Sequence, residues 1–251
     1  MAHQGGLGQG LLVGGYDLGG DINSLRDVHG GNTPIPMTDI TQLAMARSGG
    51  LRDGGLSFMA YFNPSTDRAH PVLRTLPTAD VPASYLCGTA LGDPAFCCVA
   101  KQIGYDPARG EDGSLLFTVD LLANAFGAEW CDQLTAGLRT DTGAANGTGV
   151  DLGAAGALAF GAQAYLQVTA FSGTDVTIKI QDATTLGGAY TDVAGLAFTA
   201  VTAAHSSQRL QTSNTATIRQ FTRVATTTAG GFASVTFSVA VNRNMVAGVS
   251  F

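Results

Sequence analysis

Charge is scarce in this chain: 13% of its 251 residues are Asp, Glu, Lys or Arg, against 45% hydrophobic residues. Lysine is almost missing, with Lys101 and Lys179 set against eleven arginines. The net charge is −6 and the sequence pI about 5.0, so no basic stripe of the kind that grips nucleic acid is present. No run of ~18 apolar residues occurs, and the opening Met1-Ala-His-Gln-Gly-Gly has neither a basic nor an apolar segment. The expectation is a chain that folds in the cytosol without membrane insertion. The four cysteines, Cys87, Cys97, Cys98 and Cys131, form no CxxC pair and no Cys/His cluster, and read as free, buried thiols.

Catalytic signatures are missing too. A P-loop needs Gly-Lys before Ser/Thr, but Lys101 follows Ala100 and Lys179 follows Ile178. Gly5-Gly6-Leu7-Gly8-Gln9-Gly10 precedes the first strand and does not match GxGxxG, so it reads as an arm rather than a dinucleotide loop. There is no GxSxG elbow and no HExxH helix, and His3, His29, His70 and His205 are isolated. The loops Asp17–Asp21 and Arg109–Gly113 bring carboxylates together without the register of a calcium loop; Asp/Gly pairs there suit turns that need positive φ. These absences predict a non-enzymatic chain with no cofactor and no metal.

What is present favours β-structure. Residues 163–242 hold alternating segments: Ala164, Leu166, Val168 and Ala170; Val176, Ile178 and Ile180; Val235, Phe237, Val239 and Val241. Turn chemistry at Ser172-Gly173, Leu186-Gly187-Gly188 and Ala229-Gly230-Gly231 separates them, which predicts a β-sandwich of jelly-roll type over 158–251. Ile218, Phe221 and Val224 break period two and suggest a bulge. Strands are also expected at Leu11–Tyr16, Leu56–Phe62, Val81–Cys87 and Phe96–Tyr105. After the cap signal Ser65-Thr66-Asp67, Ala69, Val72, Leu73 and Leu76 recur at helical spacing up to Pro77. Ser114–Trp130 fits strand and helix spacing alike. Residues 137–157 contain six glycines and read as a linker between a domain over 1–150 and the second domain. Charge divides at the same place: 1–150 carry 8 Lys/Arg against 15 Asp/Glu, whereas 151–251 carry 5 against 4.

The segments GYDLGGDINSL (15–25), SGGLRDGGLSFMAYFNPSTDRAHPVLRTLPTADV (48–81), KQIGYDPARGEDGSLLFTVDLLANAFGAEW (101–130) and LTAGLRTDTGAANGTGVD (134–151) occur in that order. Together they resemble the major tail tube proteins of long, non-contractile-tailed phages (siphoviruses) infecting actinobacteria. QAYLQVTAFSGTDVTIKIQDA and SVTFSVAVNRN in the second half resemble the appended β-sandwich of that family. The resemblance implies a mostly β fold: a tail-tube-type sandwich or barrel with one flanking helix at Asp67–Leu76, then an appended second sandwich, which the glycine-rich linker, the change of charge and the self-sufficient alternation of 163–242 place on the outer surface. It makes Leu56–Phe62 and Ser114–Ala125 strands. It also implies a virion subunit, assembled in the host cytoplasm into rings, usually of six, that stack into a tube.

The implied partners are further copies of the chain and the tape measure, tail tip and tail terminator proteins. DNA passes through the lumen without specific binding. On that reading, Asp120 and Glu129, with Glu111 and Asp112 at a rim, face the lumen and repel phosphate. The arm residues between subunits are Leu18, Ile22 and Leu25, with Met245, Val246 and Phe251 near the other end. The competing reading is a carbohydrate-binding module of a phage or cell surface, with Tyr165, Phe171, Tyr190 and Phe232 as the aromatic platform.

Overall fold

The computed structural model describes residues 8–75 and 79–247. The first half contains β1 (Gly10–Val13), β2 (Tyr16–Asp17), a 3-10 turn (Gly19–Asp21), β3 (Ile22–Pro36), β4 (Arg47–Tyr61) and α1 (Ala69–Leu73). It continues through β5 (Asp80–Leu86), β6 (Pro94–Arg109), β7 (Leu115–Ala123) and β8 (Glu129–Gln133). Then come β9 (Arg139–Asp141), β10 (Val150–Asp151), β11 (Ala162–Gly173), β12 (Thr177–Ala183), β13 (Thr191–Ala197), β14 (Ser206–Gln211), β15 (Phe221–Thr227) and β16 (Phe232–Arg243). The expectation of a mostly β chain holds; the sheets are antiparallel and do not close into a barrel.

One sheet has twelve strands and the other four, ordered β10-β15-β12-β13. The large sheet divides at β6. Its first residues pair with β8, which leads through β16 and β11 to β14, while Ala100–Arg109 pair with β7, which leads to β4 and β3. Two cores follow from the alternation. Leu166, Val168, Ile178, Ile180, Phe237 and Val239 fill the space between the four-stranded sheet and β11/β16. Leu11, Leu56, Phe58, Phe96, Val119 and Leu121 fill the first half, with Val72 and Leu73 of α1 against them.

Local departures have local causes. Ala170 is exposed because the register slips between Val168 and Ala170 of β11. No bulge interrupts β15 against β12; Ile218 breaks the period because it lies before the strand, in a bridge to Leu158. Helix α1 is shorter than expected, and Leu76 and Pro77 lie outside the described residues. The Ser65-Thr66-Asp67 signal does not cap it. Arg68 stands at the N-cap position with no side-chain bond, and the buried Asp21, from the 3-10 turn, accepts the Ala69 N–H at 2.9 Å and an Asn63 amide N–H at 2.8 Å.

Residues 137–157, read above as a linker, are tied into the sheets. Arg139–Asp141 pair with Val235–Phe237, and Val150–Asp151 pair with Phe221–Thr222. Buried Arg243 donates to the carbonyls of Ala154 and Gly156. A third cluster, Leu12, Leu86, Ala95, Cys97, Cys131, Tyr165 and Ala240, takes side chains from both halves. The Gln167 side chain crosses the same boundary: Oε1 accepts the Gly15 N–H at 2.7 Å and Nε2 donates to the Pro82 carbonyl at 2.9 Å. The thiols of Cys97, Cys98 and Cys131 are buried and free, and burial pushes Cys98 up to about 12.

Candidate assembly surface

Strands β3 and β4 form a 15-on-15-residue hairpin that leaves the body near Gly54. Leu56, Phe58 and Ala60 alternate inward and are buried, which fixes the inner end. Outward of the Gly30–Gly54 pair the alternation has nothing to pack on: Ile35, Met37, Met45 and Leu51 are exposed, and Ile40 and Leu43 at the tip are as exposed as side chains get, at 103% and 106%. The tip turn has its own bonds. Asp39 accepts the Thr41 N–H at 2.8 Å and its hydroxyl at 2.6 Å, which together hold the Asp39 carboxyl below its usual range. Among the described residues β3 pairs with β4 alone, so its outer edge is open.

The root of this arm is clamped. A Cβ on Gly54 would overlap that of Ala128, and one on Gly127 would lie 2.8 Å from Cβ of Arg52. Arg52 thereby lies across the Gly127–Ala128 turn and pairs with Glu129 at 3.6 Å. Glu129 also accepts the Tyr165 hydroxyl at 2.8 Å and Nη2 of Arg209 at 3.3 Å, while Arg209 Nε donates to the Tyr165 hydroxyl at 3.1 Å. The Arg209 guanidinium lies 4.0 Å from the Phe126 ring centroid. Burial raises the Glu129 carboxyl above its ordinary value, against the opposing pull of Arg209, Tyr165 and Arg52.

Glu129 therefore does not face a lumen. Its side chain has no exposure and is held inside the chain by residues of both halves. Asp120, half-buried, sits opposite Ser57 on β4 and accepts its hydroxyl at 2.5 Å. Glu111 and Asp112 occupy the exposed β6–β7 hairpin, where the Ser114 N–H and hydroxyl hold the Asp112 carboxyl below its ordinary value.

Of the arm residues, Leu18 is a correction. It is fully buried in the first core, because its N–H bonds the Leu11 carbonyl and folds the segment back. Ile22 and Leu25 start β3 and are half-buried against the same core. Met245 and Val246 are exposed, and Phe251 lies outside the described residues. The aromatic platform does not form. Tyr165 is buried, Phe171 and Phe232 pack on the second core, and Tyr190 lies under the Arg223 guanidinium. His70 bonds the Tyr105 hydroxyl at 2.8 Å and His205 stacks on Tyr16 at 4.1 Å; His3 lies outside the described residues.

Sequence reasoning placed Ile22 and Leu25 of β3 in an arm and Leu56–Phe62 in a strand, but missed the outer half of β4, its pairing with β3 and the Arg52–Glu129–Arg209 cluster. The glycine pairs 30–31, 49–50 and 54–55, around apolar residues without a period, were the available signal for the hairpin, in which Gly30 comes to face Gly54. No protein-family model and no curated protein sequence matches the chain. Among solved structures, the SPP1 Dit (gp 19.1) protein, described as a paradigm of the hub adsorption apparatus in phages infecting Gram-positive hosts, aligns over 92% of this chain and 98% of its own. That alignment has 13% identity and a TM-score of 0.33. A chain of the phage p2 baseplate in its activated conformation aligns over 94% and 98%, at 11% identity and a TM-score of 0.29. Similarity at this level establishes neither a shared fold nor a shared role.

Proposed function

We propose that this chain is a non-enzymatic structural subunit of a phage tail, which builds rings with copies of itself that stack into the tail tube. The observation that supports this best is the β3–β4 arm. Two fully exposed large aliphatic side chains at its tip, and four more along it, are costly in water and gain ~25 cal/mol per Å² when a partner covers them. An open 15-residue edge beside them offers backbone donors and acceptors for sheet continuation. A second copy supplies both an edge and an arm, and a head-to-tail contact of that kind closes into a ring. The tube reading also draws on the sequence resemblance over 15–151. The carbohydrate-binding reading loses its platform, since the four aromatics are occupied within the chain.

The experiment is sedimentation velocity over a range of concentrations, on the full chain and on Ile40→Ser/Leu43→Ser. We expect reversible association for the former and a monomer at the same concentrations for the latter, with unchanged thermal stability because neither side chain is packed within the chain. Equal association of both would remove the arm from the assembly.

A further inference from the structure

We propose that Glu129 is a positioning residue: held between Arg52 of the arm and Arg209 of β14, it locks the arm's root to the second half, which thereby sets the direction in which the arm is presented. Two independent contacts bring Arg52 to this place. Its side chain fills the space left by the missing Cβ of Gly127, and its guanidinium reaches the Ala128 carbonyl at 3.4 Å and Glu129 at 3.6 Å. Past this point the hairpin has no packed side chain among its large apolar residues, so its direction depends on the root.

On the other side of Glu129 every partner belongs to the second half. Tyr165 donates to one carboxylate oxygen and Arg209 to the other, and the Arg209–Tyr165 bond closes the triangle. The strained turn at Ala125, φ 65°, places Phe126 over Arg209 and fixes the guanidinium from outside. Burial pushes this carboxyl up despite the opposing pull of Arg209, Tyr165 and Arg52, and a buried ion pair of this kind is weak evidence for stabilisation. What the charge supplies is geometry: one acceptor shared by two arginines from different parts of the fold. That the pose of the arm matters for ring building rests on the assembly reading above.

The test is amide hydrogen exchange on dilute, unassembled full-length protein carrying Glu129→Gln, Arg209→Gln or Tyr165→Phe. The readout is the arm segment 47–53, with β12 and β15 as the measure of global folding. We expect roughly tenfold faster exchange at 47–53 in Glu129→Gln and Arg209→Gln, a smaller change in Tyr165→Phe, and none in β12 or β15. Exchange unchanged at the arm, or accelerated equally in β12 and β15, overturns the proposal; the second result would mark Glu129 as an ordinary structural residue. Should Glu129→Gln fail to fold, Arg209→Lys carries the same decision, since it keeps the charge but loses the fork that spans Glu129 and Tyr165. A loosened arm together with undiminished ring formation would leave this inference standing and count against arm-mediated assembly.

Discussion

Replacing Gln167 with leucine tests whether the two halves unfold as one body. Gln167 is buried, and its amide serves the first half from a strand of the second. Leucine has similar volume and no polar atoms. The Gly15 N–H then loses its acceptor inside the protein, at a cost of ~1–3 kcal/mol for an orphaned buried donor. The Nε2 bonds to the Pro82 carbonyl and, at 3.3 Å, to Ser84 Oγ are lost as well, but the carbonyl keeps the Gly14 N–H at 3.0 Å and Ser84 Oγ keeps the Cys97 thiol at 3.6 Å, so the further loss is about 1 kcal/mol. Greater apolar burial by leucine offsets part of this, leaving a net loss of about 2–3 kcal/mol.

Urea unfolding provides the assay, followed both by fluorescence of Trp130, the sole tryptophan, and by far-ultraviolet circular dichroism. Trp130 packs edge-on against Phe96 in the first half, whereas dichroism averages over all strands. With β16 paired to β8 and β9, and the mixed cluster around Tyr165 between them, both probes should share one midpoint, and the substitution should move them together. Separate midpoints, with only one of them moved, or a shift below about 0.5 kcal/mol, would refute the coupling argued here.

Gly15→Ala should cost about 2 kcal/mol or more, because φ is +84° and a Cβ would lie 2.6 Å from the His205 carbonyl carbon; a thermal midpoint close to the parent's would contradict this. Glu129 should make stability fall with rising pH. Its folded-state pKa lies above the ordinary 4.5, so its contribution is fully present below that value and is lost as pH rises through the raised one. Glu129→Gln cannot titrate, so the urea midpoint of the parent should fall relative to the variant's as pH rises through that window; parallel curves, or a relative rise of the parent, would show that this carboxyl is not raised on folding.

Long alternating runs were legible in the sequence. Val235, Phe237, Val239 and Val241 face the core as period two requires, as do Val176, Ile178 and Ile180. Ala170 failed because a bulge shifts the register inside the same strand. The tie across residues 137–157 was illegible for another reason: β9 and β10 are three and two residues long, too short to show a period. Glycine there reads as slack, yet a Cβ on Gly147 would meet the Val224 carbonyl at 2.9 Å, so this glycine marks close packing. The helix cap was misread because Asp21, 48 residues away, outcompetes the local signal. Glu129 carried no signal at all; in the sequence it is one more acid in an acidic half, and its two arginines lie 77 residues before it and 80 after. The arm was half legible, since exposure of Ile40 and Leu43 is a property of where the hairpin ends and not of its pattern.

Electron microscopy of the purified full chain at rising concentration tests the central claim most directly. The account predicts rings with an axial hole, or tubes built of stacked rings, and their loss when Ile40 and Leu43 are replaced by serine. A chain that stays monomeric at every concentration, alone and with tail-initiation proteins, would contradict it.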